Sequence, residues 1–394
     1  MDLGAIQEAI RDQGLDGWLF FDFHHKDPIS YRVLGVDMNT MTTRRWFYLV
    51  PANGEPTKLC STVEPTRLDS LPGKSETYLS WKQLHQQLAL ILKGRNKIAM
   101  QYSPMGNIPY VSNVDAGTIE MVRAAGVEVV TSADLVQTFD ALFDAEGFAS
   151  HREAGETILR IKDDAYAMMD AALRAGKKIT EFDVCSFILD EFESNGLTTD
   201  GSVPIVGFND HPADPHFEPT AENAYTLHHG DTILIDLWAR RREPAGVYYD
   251  VTWCGFAGQD PPDLYREIWD AVVSGRDRGL EFVRSRFEQS KPCFGWEVDD
   301  ATRAVVRDAG YGDAFVHRTG HSIGVLDVHG NGANIDNLET RDERRLAPGS
   351  CFSIEPGIYL AGQMAVRSEI DVFITTEGAV EVFGAIQTDL IHVG

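Results

Sequence analysis

The stretch "DTILIDLWARRREPAGVYYDVTWCGF", residues 231–256, contains two apolar runs joined by a polar linker, and one aspartate interrupts each run: Asp236 and Asp250. Its β-branched and aromatic residues favour strands, and the basic linker with its proline-glycine turn favours a hairpin. A carboxylate inside a buried strand is costly unless it is paired, hydrogen-bonded or bound to metal. Two of them in one hairpin call for a shared explanation.

Downstream the same anomaly recurs. Glu355 lies within "CFSIEPGIYL" and Glu369 within "MAVRSEIDVFIT", both read as strands, while "SVPIVGF" adds another strand upstream. Helical periodicity predicts helices over "EFDVCSFILDEFESNG", over "PPDLYREIWDAVVSGRDRGLEFV", and from Glu153 to Gly176. Strands beside segregated helices predict an α+β domain on antiparallel sheets over residues 151–394. Residues 1–150 read differently: "GWLFFDF", "RRWFYLVP", "PTKLCST", "KIAMQY" and "VEVVTSA" as strands alternate with helical "SWKQLHQQLALILKG" and "AGTIEMVRAAG", an α/β layer pattern. A two-domain chain also suits 394 residues, because one core tends to stop growing at roughly 250–300.

Composition narrows the function. With 60 acidic and 35 basic side chains the formal net charge is −25, which repels nucleic acid and anionic lipid, so neither is an expected partner. The N-terminal "MDLGAIQEAIRDQG" has no basic n-region or apolar h-region, and no run approaches the roughly 18 apolar residues of a membrane span. Five scattered cysteines without a CxxC pair read as reduced buried thiols, and the expected compartment is the cytoplasm. HExxH, GxSxG and P-loop motifs are missing, as is GxGxxG after a strand, which removes the common zinc-protease, serine-hydrolase and nucleotide readings.

Ion pairs with Arg240, Arg241, Arg242 or Arg367 would account for any one buried carboxylate. A dinuclear metal centre with four carboxylates and one imidazole accounts for all four together. Between the second aspartate and the first glutamate runs "HRTGHSIGVLDVHG", residues 317–330, with three histidines.

The order Asp236, Asp250, His321, Glu355, Glu369 resembles the pita-bread metallopeptidases, which include creatinase, prolidase and aminopeptidase P, over the segment from about residue 154 to the end. The α/β segment ahead of it is similar to the N-terminal domain of the creatinase and prolidase branch. The resemblance implies that Asp236 chelates a first metal, that Asp250 and Glu369 bridge two, and that His321 and Glu355 complete the second. It further implies that His216, in "DPHFEPT", and His329, in "DVHGNG", stabilise the reacting carbonyl, that Glu355 shuttles a proton, and that Arg367 is the arginine ahead of the last glutamate. His211 competes with His216 for the upstream role, and His317 is expected to support its loop. Two cations roughly 3.5–4 Å apart can hold a bridging water as hydroxide. Oxygen-rich ligands with one nitrogen suit Mn²⁺ first, with Co²⁺, Zn²⁺ or Fe²⁺ as alternatives.

The expected activity is hydrolysis of the Xaa-Pro bond of dipeptides or short peptides by a homodimeric enzyme. Four departures from the family pattern bear on the substrate: a separation of fourteen positions between the two aspartates, no arginine after Asp250, Arg318 where a small residue is usual, and a longer step from His321 to His329. They keep open a same-fold hydrolase or lyase of a small molecule, of ectoine hydrolase or dimethylsulfoniopropionate lyase type. An inactive binding module is the third reading, although such domains lose ligands that this chain retains.

Overall fold

The computed structural model describes residues 1–243 and 245–394, so Pro244, in the expected proline-glycine turn, lies outside the described residues. Two compact units emerge, Met1–Asp140 and Ala141–Gly394. The split falls ten residues before the expected 150/151 boundary, because the long helix begins earlier than its apolar periodicity predicted. It spans Ala145–Arg174, started by Asp144, whose carboxylate accepts from the backbone N–H groups of Glu146 and Gly147.

The first unit is built on a six-stranded mixed sheet in the order Lys74–Tyr78, Thr57–Ser61, Trp46–Pro51, Gly17–Asp22, Lys97–Met100, Glu128–Thr131. Trp18, Phe20, Tyr48 and Val50 pack on one side, and Leu19, Phe21, Phe47 and Leu49 on the other. Both faces are therefore covered, which is why these strands read as unbroken apolar runs.

The second unit centres on Thr232–Arg241 and Tyr249–Ala257, paired antiparallel with Asp236 opposite Thr252 and Trp238 opposite Asp250. Side chains alternate along a strand, so Asp236, Trp238, Asp250 and Thr252 share one face. On the opposite face Ile233, Ile235, Leu237, Tyr249 and Val251 pack against Ala154, Ile158, Ile161 and Ala165 of the long helix. Gly155 permits that approach: a Cβ there would lie 2.6 Å from the Tyr249 ring. One face of the hairpin thus supplies the core and the other carries the acids.

Two expected strands are each divided in the structure. "CFSIEPGIYL" forms Cys351–Ile354 and Gly357–Leu360, and "MAVRSEIDVFIT" forms Met364–Arg367 and Ile370–Ile374. The register runs on across the interruption, since Ile354 pairs with Ile370 and Gly357 with Arg367. Pro356 has no N–H to give to a ladder, and the N–H groups of both glutamates go elsewhere: Glu355 to the Thr319 carbonyl at 2.7 Å, Glu369 to the Thr252 carbonyl at 3.2 Å. The hairpin therefore opens where its two glutamates face each other. A helix over Gly295–Asp308 lacked a reading from the sequence, and no helix among the described residues is long and apolar enough to cross a membrane.

Candidate metal centre

All eight residues singled out from the sequence, Asp236, Asp250, His321, Glu355, Glu369, His216, His329 and Arg367, line one cavity of about 630 Å³ in the second unit. Asp250, His321 and Glu369 each bring a ligand atom within 4.8 Å of one another, and all three are buried. Nε2 of His321 stands 3.6 Å from Asp250 Oδ2 and 3.5 Å from Glu355 Oε1.

The loop carrying His321 is woven into the opened hairpin. His321 donates its backbone N–H to Ser353 Oγ at 3.0 Å and accepts from the Ser353 N–H at 2.9 Å. Gly320 must come close, for a Cβ there would lie 2.0 Å from the Ser353 carbonyl oxygen. Nδ1 of His321 lies 3.1 Å from the Ser322 carbonyl, an acceptor only, so Nδ1 carries the proton and the Nε2 lone pair faces the carboxylates.

The remaining contacts tie the two halves of the site together. Thr252 Oγ1 donates to Glu369 Oε2 at 2.7 Å and accepts from Arg367 Nε at 3.0 Å. Arg367 also donates through Nη1 to the Tyr359 hydroxyl and through Nη2 to Asp236 Oδ2, so each nitrogen of its buried guanidinium is engaged. Arg240, Arg241 and Arg242, the other candidate partners for the acids, pair with Asp200, Glu243 and Glu193 instead. Separate ion pairs therefore do not explain the cluster.

Asp236 Oδ1, Asp250 Oδ1 and Glu369 Oε1 are buried and find no hydrogen-bond partner among the described residues. Burial first, then mutual repulsion, pushes Asp250 and Glu369 well above the ordinary carboxylate range. Burial raises Asp236 against the pull of Arg367, and raises Glu355 to about 7. Burial likewise holds His321 well below the usual imidazole value. Carboxylates crowded this way either retain protons or take cations, and a donor set of oxygens with one neutral imidazole nitrogen fits divalent metal.

The other histidines separate by surroundings. His216 is exposed and opens onto the cavity. His211 instead bonds Glu181 at 2.8 Å and stacks on Phe217 and Tyr225. The His329 side chain is 52% exposed within the concave wall, yet surrounding protein, followed by Arg318, holds its imidazole down to about 4. The longer step before it is absorbed by a tight turn in which Gly324 N–H reaches the Val328 carbonyl and Gly330 N–H the Ser322 carbonyl. His317 sits between the Arg318 carbonyl and the Tyr359 hydroxyl, at 2.6 and 2.7 Å. Trp238 lines the cavity, while Tyr249 and Trp253 belong to the core.

One group escaped the sequence reading. Asp371 is buried two residues after Glu369, accepts the Asp250 backbone N–H at 2.7 Å, and has buried His151 Nε2 at 3.8 Å. Its place on the Glu369 face of the strand was readable from alternation, whereas His151 lies far away in sequence and gave no signal.

Residues 151–376 match the model of metallopeptidase family M24. The chain belongs to that family. It is 31% identical over 265 residues to the protein named "Probable dipeptidase PepE" of Mycobacterium tuberculosis (strain ATCC 25618 / H37Rv), a match spanning 67% of this chain and 64% of that relative's length. It is 30% identical over 228 residues to an Xaa-Pro dipeptidase of Lactobacillus delbrueckii subsp. lactis, across 58% of this chain and 55% of the relative. Among solved structures it resembles dipeptidase PepE from Mycobacterium ulcerans, with a TM-score of 0.72 and 25% identity over 99% of this chain and 96% of that one.

Proposed function

We propose that this M24 member is a dinuclear metal-dependent peptidase that hydrolyses the Xaa-Pro bond of dipeptides or short peptides. The observation that carries the metal reading is the set of three buried, unpartnered carboxylate oxygens around a histidine whose lone pair faces them. Asp236 would hold a first ion, Asp250 and Glu369 both ions, and His321 and Glu355 the second. Two divalent ions, when bound there, supply Lewis acidity and lower the pKa of water.

The chain's own groups do the rest. Arg367 and Thr252 position Asp236 and Glu369 and offset their charge. Glu355, which lines the cavity beside His321, takes a proton from the attacking water and passes it to the leaving nitrogen. His216 and His329 border the cavity and donate hydrogen bonds to the substrate oxygen as charge develops on it. His329 does so as a neutral imidazole.

Proline as the residue that carries the leaving nitrogen is supported by the relative named Xaa-Pro dipeptidase. Mn²⁺ is the proposed metal, the five free, buried cysteines accord with a cytoplasmic location, and a homodimer is proposed from the family resemblance. A panel of Xaa-Pro dipeptides, Xaa-Pro-Xaa tripeptides and non-proline dipeptides, run with Mn²⁺ and with chelator, tests the reading. Mn²⁺-dependent cleavage confined to proline substrates is expected, and metal-independent or absent cleavage would refute it.

A further inference from the structure

Behind the candidate ligands lies a buried pair that the proposed chemistry does not use. The side chains of His151 and Asp371 are 1% and 0% exposed, and among the described residues His151 Nε2 and Asp371 Oδ1 find no hydrogen-bond partner. Polar groups kept at that depth are costly, so their presence asks for a physical reason.

The backbone supplies one. Residues 250–252 and 369–371 run antiparallel, and two contacts fasten them together. Glu369 donates its N–H to the Thr252 carbonyl at 3.2 Å, and Asp250 donates its N–H to Asp371 Oδ2 at 2.7 Å. In the second contact a side chain does what a carbonyl does in a regular ladder. Asp250 and Glu369, the two expected bridging ligands, stand at opposite corners of this fastening, with ligand atoms within 4.8 Å of each other. Their spacing therefore depends on the carboxylate of Asp371.

His151 braces the same corner from the long helix Ala145–Arg174. Its Nδ1 lies 2.7 Å from the Tyr248 carbonyl, an acceptor only, so Nδ1 carries the proton. Tyr248 stands two residues before Asp250, where the linker re-enters the hairpin, and donates its own N–H to the Gly324 carbonyl at 3.1 Å. Nε2 faces Asp371 Oδ2 at 3.8 Å, beyond hydrogen-bond reach, while the ring lies against Tyr249 and Phe373 at centroid distances of 4.9 and 6.4 Å. One imidazole thus holds the chain entering Asp250 and backs the carboxylate that receives the Asp250 N–H.

Resting on the dinuclear reading above, we propose that Asp371, backed by His151, is a positioning residue that sets the spacing of Asp250 and Glu369 and so governs whether the centre holds two ions or one. Carboxylates shared by two cations must be placed to within about 0.5 Å, and a partner that orients a ligand is typically worth about 10- to 100-fold in metal affinity. A single ion draws on fewer ligands and tolerates a larger shift.

The test is a calorimetric Mn²⁺ titration of the chelator-stripped wild type, Asp371→Asn, Asp371→Leu and His151→Phe, with bound metal counted on the same samples and Tm measured in chelator. Asparagine keeps an oxygen for the Asp250 N–H, and leucine keeps the bulk without it. The wild type should take two ions, and Asp371→Asn should stay close to it. Asp371→Leu should weaken the second ion about 10- to 100-fold and the first far less, with kcat following second-ion occupancy and KM for a cleaved peptide nearly unchanged. His151→Phe, which keeps a ring against Tyr249 and Phe373, should shift the second ion in the same direction by less, and it carries the test should Asp371→Leu not fold. Two ions bound at wild-type strength in both Asp371→Leu and His151→Phe, or both ions weakened equally in step with a lower Tm, would overturn the proposal while leaving the dinuclear reading intact. A wild type that binds fewer than two ions overturns the dinuclear reading and this proposal with it.

Discussion

The Thr232–Arg241/Tyr249–Ala257 hairpin and the 351–374 hairpin each contribute two carboxylates, but by opposite means. In the first, an unbroken ladder puts Asp236 and Asp250 on one face through simple alternation. In the second, the ladder breaks at Glu355 and Glu369, whose N–H groups turn to Thr319 and Thr252. Candidate ligands can thus be placed by regular pairing or by local release from it. Released ligands depend on the elements that capture the freed backbone, and that dependence separates the two hairpins experimentally.

The largest effect should come from the ligands themselves. Asp250→Asn in the regular hairpin and Glu369→Gln in the opened one should each lower kcat/KM by at least ~10³-fold, since a metal centre stabilises charge by several kcal/mol. Bound Mn²⁺ measured on the same samples should fall with activity. Full metal loading alongside normal turnover in either variant would break the assignment.

Next, Arg367→Met removes the cation that joins the halves and leaves Asp236 uncompensated. Breaking such a buried pair costs about 3–5 kcal/mol, and denaturant titration should find a larger loss in chelated protein than in Mn²⁺-loaded protein. Equal losses would mean that the cations do not share the charge of Asp236.

The metal-free protein should also weaken with rising pH. Asp250 and Glu369 have folded-state pKa values raised well above the ordinary range, and Glu355 one raised to about 7. The folded state therefore binds more protons than the unfolded chain, and stability falls by up to about 1.4 kcal/mol per pH unit for each such proton lost. His151, shifted from 6.5 down to about 4, acts oppositely but only below pH 6.5. Between pH 6.5 and 8 the Tm of chelated protein should therefore decline, and Mn²⁺ should flatten the decline. A flat or rising chelated profile would contradict the crowded-carboxylate picture.

Smallest, Thr252→Val removes one hydroxyl that bridges Glu369 and Arg367. A loss of about 1–3 kcal/mol is expected, felt mainly as weaker Mn²⁺ affinity because Glu369 loses a positioning contact. An unchanged metal titration would show that the ladder break alone positions Glu369.

The four acids in apolar runs are local anomalies of the sequence, whereas His321, His216, His329 and Arg367 were singled out through the family resemblance; all eight line one cavity. Less legible was the long helix's start, where Gly147 and polar neighbours mask the periodicity and only Asp144 signals the cap. The two strand breaks were also hidden. Pro356 hinted at one, but Ser368 and Glu369 look like ordinary strand residues, and the departure of Glu369 depends on Thr252, more than a hundred positions away. Asp371 and His151 were missed because a backing residue is defined by what it touches.

The sequence by itself determined the candidate donor set: carboxylate oxygens, one imidazole, and apolar strands that make those donors costly without cations. Tertiary structure alone decided which arginine is locked against the carboxylates. All four candidate arginines carry the same charge, and only packing distinguishes Arg367, with every nitrogen engaged in the core, from Arg240, Arg241 and Arg242, which pair with Asp200, Glu243 and Glu193.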